Sequence, residues 1–220
     1  MIKMTRTQVL GRRRVITGLS AATTTLLLPP GSRAQDRLIG TPRQAEGPFY
    51  PVEWNGDVDE DLVLVRGEVA QALGQVTHIS GRVLDRSAQP LVGAGVEIWQ
   101  CDANGVYRHP RDGGGTRSRD QGFQGRGRAI SDASGRYHFR TIRPVAYPGR
   151  APHIHFKVLL PDGRGLVTQM YVFGERQNER DAVLNSIRDR RQREALIVRL
   201  GAADTIEAGA LAGVFDIVIG

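Results

Sequence analysis

Cysteine is nearly absent from this sequence, since Cys101 is the only one among 220 residues. A single cysteine cannot form an intrachain disulfide, so the fold must be stabilised by packing, by oligomerisation or by a metal. Long apolar segments are missing as well. The uncharged stretch over residues 18–28 is far shorter than the about 20 residues that cross a bilayer, and a permanent membrane anchor is not expected. The sequence also has no internal repeat and no low-complexity segment.

The charge of the chain does not indicate a nucleic-acid-binding surface. The formal net charge is +7, but residues 1–34 contain six basic residues and no acidic one, which leaves +1 for the rest. The basicity therefore belongs to the N-terminal segment and not to a binding face, and no nucleic-acid partner is expected. The remaining residues are numerous enough to form one domain with a proper core.

Residues 1–34 have the layout of a secretory signal peptide. A basic start precedes the uncharged stretch, and Ser32-Arg33-Ala34 fits a small-x-small cleavage site after Ala34. The basic triplet of residues 12–14 stands directly before a weakly hydrophobic, threonine-rich segment and resembles the twin-arginine signal, which exports folded proteins. An ordinary secretion signal is the alternative. We therefore expect a periplasmic protein that is able to acquire its metal before export.

The rest of the chain is expected to form an N-terminal arm and one β domain. Residues 35–75 are punctuated by prolines, and their aromatic residues give them something to bury, so we expect an arm packed on the domain; a disordered tail is the alternative. Residues 76–220 contain short β-branched and apolar segments separated by turns, which is typical of an antiparallel β-sandwich. The predicted strands cover residues 76–84, 95–101, 136–142, 153–160, 166–173 and 214–219.

Two further segments of the domain have their own patterns. Residues 111–128 hold six glycines and several arginines, which predicts a long loop. Asn178 is a suitable N-cap for a helix that reaches about Arg190, with Ala182, Val183 and Ile187 on one face. We therefore expect long loops and one or two short helices beside the strands.

A His-x-His pair carries the first sign of chemistry. Residues two apart in a strand point to the same face, so His153 and His155 are expected to project together while Ile154 and Phe156 point into the core. Two imidazoles placed in this way can bind one metal ion. A pair of partly exposed strand histidines is the alternative interpretation.

The residues around this pair narrow the kind of metal site. No aspartate or glutamate stands near the histidines to complete a two-His-one-carboxylate iron(II) site, and HExxH is absent. Tyr107 follows the tight-turn pair Asn104-Gly105, and Tyr147 is held between two prolines. A phenol is a hard oxygen donor, and a tripositive iron can displace its proton. Taken alone, each tyrosine is equally compatible with an aromatic residue at the rim of a pocket.

Several separated motifs make the chain resemble the intradiol ring-cleavage dioxygenases, and most of all the protocatechuate 3,4-dioxygenase subunits. The similarity extends from residue 44 to residue 218. Its strongest matches are IWQCDANGVY (98–107), SDASGRY (131–137), PGRAPHIHF (148–156) and TQMY (168–171). The resemblance implies oxygen-dependent cleavage of a catechol, such as protocatechuate, catechol or hydroxyquinol, between its hydroxyl-bearing carbons. The product is a cis,cis-muconate-type diacid.

The resemblance also implies the roles of six residues. Fe(3+) would be held by Tyr147 and His155 as axial ligands and by Tyr107 and His153 as equatorial ligands, with water or hydroxide in the fifth position. Tyr147 would leave the iron when the catechol binds and would accept a proton from it. Arg150 corresponds to an active-site arginine that stabilises developing negative charge, and Gln169 to a glutamine near the substrate.

Two alternative interpretations of the sequence remain. Residues 81–94 and 132–139 resemble the transthyretin-like (prealbumin-like) sandwiches, which share the scaffold but do no chemistry. The second alternative is a zinc or copper enzyme that uses the histidines alone. The chain lacks the N-terminal helical region through which the single-chain catechol enzymes dimerise, so we expect a homo-oligomer of another kind, with a second related subunit as the alternative.

Overall fold

Most regular structure in this chain is β-strand. The computed structural model describes residues 37–220, and the predicted signal peptide of residues 1–34 lies outside them. The strands are β1 (Val76–Asp85), β2 (Gly95–Trp99), β3 (Arg126–Ile130), β4 (Arg136–Ile142), β5 (His153–Leu159), β6 (Gly165–Val172), β7 (Ile197–Val198), β8 (Gly201–Ala202), β9 (Leu211–Val214) and β10 (Ile217–Ile219). The helices are a 3₁₀ turn (Arg176–Glu179), α1 (Ala182–Asn185) and α2 (Arg190–Ala195). No helix within this part of the chain is long and apolar enough to cross a bilayer.

The strands form two five-stranded sheets. In the first sheet β1 is central, with β4 on one edge and both β9 and β10 on the other, and β8 extends the sheet beyond β9. The second sheet has the order β3-β2-β5-β6-β7. Three pairs are parallel, namely β1–β9, β1–β10 and β6–β7, so the prediction of a wholly antiparallel fold is wrong at these places. Parallel neighbours need a long connection, and each of these pairs has one.

One hydrophobic core joins the two sheets. Ile79 and Phe139 from the first sheet and Ile98 and Phe156 from the second are fully buried members of the same cluster. Strand β4 alternates exposed and buried residues along most of its length, as expected for a strand with one wet face. By contrast, β5 is buried at its first four residues, so both of its faces are covered. The side of β5 that points away from the core therefore faces a second, internal environment.

The segment that precedes β1 covers that second side. Within residues 37–75 the backbone forms no helix and no strand, apart from one isolated bridge. Gln44 donates its backbone N–H to the carbonyl of Val167 in the second sheet. Farther along, Leu62 donates its backbone N–H to the Arg140 carbonyl and inserts its own side chain into the core. The segment thus lies against both sheets.

Strand β3 corrects the prediction of a loop over residues 111–128. Its inward positions are Gly127 and Ala129, which are too small to give the hydrophobic alternation of a strand. Gly127 is small because the N-terminal segment packs there: a Cβ atom at this position would lie 2.6 Å from Leu62 Cδ1. The contact that makes this strand hard to recognise is therefore a tertiary one.

The predicted helix from Asn178 to Arg190 is also wrong, because three short segments replace it. Asn178 does not cap a helix; its side-chain amide donates instead to the Val172 carbonyl. Two aspartates act as the N-caps: Asp181 for α1 and Asp189 for α2. A second correction concerns residues 214–219, which form parts of two strands separated at Phe215 and Asp216. Asp216 interrupts the pairing by accepting hydrogen bonds from Arg82.

Candidate metal centre

The two histidines of β5 project together from the face that points away from the core. Strand β5 is hydrogen-bonded to β2 on one side and β6 on the other, so its register is fixed along both edges. His153 and His155 are 1% and 2% exposed, and their Nε2 atoms lie 3.2 Å apart. Ile154 and Phe156 belong to the core, as the alternation along this strand predicts. Two imidazole nitrogens therefore meet at one point inside the protein.

Both histidines are held as neutral donors. The pKa of His153 falls to about 4, first because of burial and then because of the positive charge of Arg150. Burial, followed by the neighbouring His153, lowers the pKa of His155 well below its ordinary value. His153 Nδ1 lies 2.6 Å from the Ala151 carbonyl and donates to it, which leaves its Nε2 lone pair free. Near neutral pH, both Nε2 atoms can therefore bind a metal.

Tyr107 reaches the same point from the turn after β2. Asp102 builds this turn, because its Oδ1 atom accepts the backbone N–H groups of Asn104 and Val106. Tyr107 is 2% exposed, and its hydroxyl lies 3.4 Å from His153 Nε2. Burial above all raises the pKa of Tyr107 well above its ordinary value. Without a cation beside it, this phenol therefore keeps its proton.

Tyr147 completes the group from the connection between β4 and β5. Its backbone carbonyl accepts the N–H of Arg150 in a tight turn. Its ring lies 5.6 Å from the Tyr107 ring and 5.5 Å from the His153 ring, measured between centroids. Burial raises the pKa of Tyr147, but less completely than for Tyr107, since Tyr147 is only half-buried and has Arg150 nearby. Of the two phenols, Tyr147 is the one that a molecule from solvent can reach.

These four side chains fit a metal of high charge. They offer two imidazole nitrogens and two phenol oxygens, and no carboxylate is among them. Across residues 37–220, no group of three or more His, Cys, Asp and Glu side chains could hold a metal ion. A zinc or iron(II) site of the usual His and carboxylate type therefore has no ligand set in this region. Phenols are oxygen donors that a strongly charged cation can deprotonate, and this pair suits such a cation.

Arg150 and Gln169 meet beside the four donor residues. Arg150 donates from Nη2 to Gln169 Oε1 at 2.6 Å, and Gln169 donates its own amide to the Ala45 carbonyl. Tyr171, a neighbour of His153, donates its hydroxyl to the same Gln169 oxygen at 3.0 Å. The structure thus brings together all six residues that the sequence selected. Gln169 contacts Arg150 directly and holds it to the N-terminal segment.

Asp181 is a residue of this site that the sequence analysis missed. Its Oδ2 atom accepts from Arg150 Nε and from the Ala151 backbone N–H, both at 2.9 Å, while Oδ1 caps α1. The side chain is fully buried. Burial on its own would raise the pKa of Asp181, but these hydrogen bonds and the Arg150 charge bring the pKa below its ordinary value. Asp181 therefore carries a buried negative charge that fixes Arg150 and, through Ala151, the start of β5.

Trp99 and Phe49 form the walls of the site and were also not selected. The Trp99 ring stacks on His155 with centroids 4.7 Å apart and planes 10° apart. Phe49 stacks on Tyr107 at 4.8 Å. Gly47 approaches His155 so closely, at a positive φ of 79°, that a Cβ atom would lie 3.3 Å from the imidazole. The resemblance begins at residue 44 and so includes Gly47, but the contact of Gly47 with His155 became visible only in the fold.

Comparison with known proteins assigns the family. A family model described as dioxygenase matches residues 45–220, so the chain belongs to this dioxygenase family. The protocatechuate 3,4-dioxygenase beta chain of Burkholderia cepacia is 38% identical over 186 residues, covering 80% of this chain and 78% of the relative. A hydroxyquinol 1,2-dioxygenase of Corynebacterium glutamicum is 32% identical, and the alignment covers 60% of this chain and 46% of that enzyme. This chain thus spans about half the length of the hydroxyquinol enzyme.

Solved structures agree with this assignment. The dioxygenase domain of a dioxygenase carbohydrate-binding protein fusion from Streptomyces sp. SirexAA-E has a TM-score of 0.63 and 31% identity, covering 82% of this chain and 98% of that one. Catechol 1,2-dioxygenase from Acinetobacter sp. ADP1 has a TM-score of 0.59 and 27% identity, covering 81% and 62%. The chain is an intradiol ring-cleaving dioxygenase, an oxidoreductase of a family that uses non-haem iron. The predicted enzyme class is therefore confirmed, and the alternative of a non-catalytic module is rejected.

Proposed function

We propose that Tyr107, Tyr147, His153 and His155 hold iron(III) and that the enzyme cleaves a catechol between its two hydroxyl-bearing carbons with O2. The observation that carries the proposal is the meeting of two phenols and two neutral imidazoles, with no carboxylate among the four donor side chains. Ferric iron, when bound, supplies the Lewis acidity that favours phenolate and catecholate and makes the ring reactive toward oxygen. The product of such a cleavage is a cis,cis-muconate-type diacid.

The unequal burial of the two tyrosines assigns them different tasks. Tyr107 is enclosed by Phe49 and His153, so it serves as the permanent anionic donor. Tyr147 is half-buried and lies beside Arg150, whose charge favours the deprotonated phenol. A phenolate oxygen at Tyr147 is therefore the atom placed to take a proton from a catechol hydroxyl as the substrate enters.

Arg150 supplies a positive charge beside Tyr147. Asp181 and Gln169 hold its guanidinium, which is 16% exposed, so the charge is already oriented before substrate arrives. A fixed cation in a site that is partly closed to water stabilises negative charge better than a mobile one. Gln169 acts through Arg150 and is therefore a positioning residue.

Replacement of each tyrosine by phenylalanine tests this assignment. Tyr107→Phe should lose bound ferric iron. Tyr147→Phe should keep iron and bind catechol but lose turnover, because the proton acceptor is gone. Iron content, visible absorption with and without catechol, and oxygen uptake would be measured on both variants. Tyr137→Phe, a change in the core between the sheets, is the matched control and should keep the native spectrum. Full activity and a native spectrum in Tyr147→Phe would show that Tyr147 is not a ligand.

The substrate is proposed to be a single-ring catechol. The relatives named above are protocatechuate, catechol and hydroxyquinol dioxygenases, and the half-buried Tyr147 opens the site to solvent. Oxygen uptake with these three compounds, on iron-loaded enzyme, would identify the preferred ring substituent. Inactivity with all three would reject a simple single-ring substrate.

Two further proposals concern the scaffold type and the assembly. The two sheets on one core support a transthyretin-like sandwich, which an experimental structure superposed on transthyretin would test. One relative is named a beta chain; we propose a homo-oligomer for this chain, with a second related subunit as the alternative. Light scattering on the protein purified alone would distinguish these assemblies, since a monomer without activity would favour the second subunit.

Export to the periplasm by the twin-arginine route is proposed from residues 12–14, which lie outside the described part of the chain. Arg12→Lys together with Arg13→Lys should leave iron-loaded precursor in the cytoplasm, because the folded-protein pathway reads the arginine pair. Fractionation followed by immunoblotting measures this. Normal periplasmic accumulation of the double variant would favour general secretion instead.

A further inference from the structure

A second cavity lies on the far side of the segment that carries Tyr107. Its volume is about 580 Å³, which is the size of pocket that holds a small organic molecule. The walls come from the N-terminal segment, from residues 108–110 and from the first residue of β3. None of the four proposed iron ligands lines it, nor does Arg150 or Gln169. The cavity is therefore distinct from the site described above.

Two guanidinium groups without carboxylate partners line this cavity. Arg108 donates to the Phe123 carbonyl at 3.3 Å, and Arg126 donates to the Asn55 carbonyl at 3.0 Å. Within residues 37–220 neither side chain forms an ion pair, although eleven other pairs do occur there. The buried Nε atom of Arg126 has no hydrogen-bond partner in this part of the chain. Buried donors are normally satisfied, so this one calls for an acceptor.

The charges around the cavity leave it positive. Arg66, the third arginine of the lining, is engaged by Asp57 at 3.3 Å. Glu53 is the only other carboxylate of the lining, so a single negative charge is left to balance the positive charges of Arg108 and Arg126. Burial and then the charge of Arg108 lower the pKa of Arg126. An anion between the two guanidinium groups would offset the repulsion between their charges.

We propose that this cavity binds a small organic carboxylate. A guanidinium presents its N–H groups in a planar fork that matches a carboxylate. The apolar walls, formed by Pro51, Val52, Val65 and Pro110, suit the hydrocarbon part of such an acid better than an inorganic anion. This chemistry is shared by aromatic acids and by open-chain diacids, and both kinds of molecule occur around ring cleavage. The inference goes beyond the proposed iron chemistry, because it assigns a separate ligand to separate residues.

Calorimetric titration of the iron-loaded enzyme tests the proposal. The experiment is done without oxygen and with saturating catechol, so that the iron site is already filled. Benzoate, cis,cis-muconate and inorganic phosphate are the three probes. At least one of the two organic acids should bind saturably, and phosphate should bind more weakly. Which acid binds more tightly distinguishes an aromatic ligand from a diacid.

Variants locate the binding. Arg126→Gln and Arg108→Gln should each weaken the binding of the acid by at least about tenfold, because each change removes one charge-assisted hydrogen bond. Arg164→Gln removes an arginine whose exposed pair with Asp162 lies outside the cavity, and it should leave binding unchanged. Oxygen uptake by the folded variants should stay near the native level. The proposal is overturned if neither acid binds, if phosphate binds as tightly, if catechol abolishes binding, or if both glutamine variants bind like the native enzyme.

Discussion

Two pairs of histidines occupy opposite sheets of this enzyme, and their surroundings differ in kind. His153 and His155 stand two residues apart on β5 and are almost fully buried, and within residues 37–220 no carboxylate is hydrogen-bonded to either imidazole. His78 and His138 face each other across β1 and β4, with ring nitrogens 3.1 Å apart. His78 also contacts Glu207 at 3.0 Å, and Glu207 is 31% exposed. Only the first pair is accompanied by tyrosines.

The comparison shows that neighbours, more than the histidines themselves, decide what such a pair does. On the first sheet, Glu207 and Asp61 both bind Arg140, and this ion-pair network ties the N-terminal segment and the loop after β8 to the sheet. His78 and His138, the outer pair, contact the network through Glu207. In the site, burial and Arg150 keep the imidazoles neutral and leave their lone pairs available. A carboxylate within hydrogen-bond distance makes a histidine part of a structural network, whereas desolvation next to phenols leaves it available as a metal donor.

Removal of one histidine from each pair should give the largest difference. His155→Ala takes away a proposed ligand, so iron binding and turnover should fall by more than about a hundredfold, since even outer-shell partners of a metal are worth 10- to 100-fold. His78→Ala should keep iron and turnover near the native level. Iron analysis and oxygen uptake on both variants provide the measurement. Equal losses in the two variants would erase the distinction between the pairs.

The buried ion pair of the site should contribute more to stability than an exposed pair. Asp181→Asn keeps the size of the side chain but leaves Arg150 charged and unpaired in a buried place, so the free energy of unfolding should fall by about 3 kcal/mol. Asp162→Asn, which removes an exposed partner of Arg164, should change the free energy of unfolding far less, because water screens this pair. Urea denaturation measures both. The value of kcat should fall only in Asp181→Asn, because Arg150 loses its orientation; a loss of stability with native kcat would limit Asp181 to a structural role.

Local patterns were sufficient for the strands that carry the site. The alternation in residues 153–156 predicted which side chains enter the core, and the structure confirms it with Ile154 and Phe156. The pair Asn104-Gly105 likewise indicated the turn that precedes Tyr107, and the structure forms this turn around Asp102, although Tyr107 itself lies outside the strand, which ends at Trp99. These features depend on residues close together in the chain, and that is why periodicity and turn residues could reveal them.

Features that depend on distant partners were missed. Asp181 belongs to the site only because it meets Arg150, 31 residues earlier in the chain, and from the sequence it was one helix residue among several. Strand β3 was hidden because its inward residues are small, which reflects packing of Leu62 from the N-terminal segment. The parallel pairing of β9 and β10 with β1 follows from the path of the chain. No local pattern contains such information.

The smallest expected effect concerns pH and the outer pair. Arg140 above all, and then His78, lower the pKa of Glu207 from 4.5 to about 2. Because this pKa is depressed in the folded protein, the stabilisation is present above about pH 4.5 and is lost as the pH falls toward 2. Glu207→Gln should therefore lower the free energy of unfolding by about 1 kcal/mol near neutral pH, a value typical of exposed pairs. The gap from the native protein should close on acidification.

Urea denaturation between pH 7 and pH 3 measures this gap. Glu194→Gln, which removes the exposed helical partner of Arg190, is the matched control and should give a gap near zero. Iron content and turnover should be unaffected by Glu207→Gln, because this network lies on the other sheet from the site. A gap that widened as the pH fell would mean that folding raises the pKa of Glu207 instead of lowering it. The partner of the outer histidine pair would then not be stabilised as a carboxylate, and the contrast with the pair in the site would be lost.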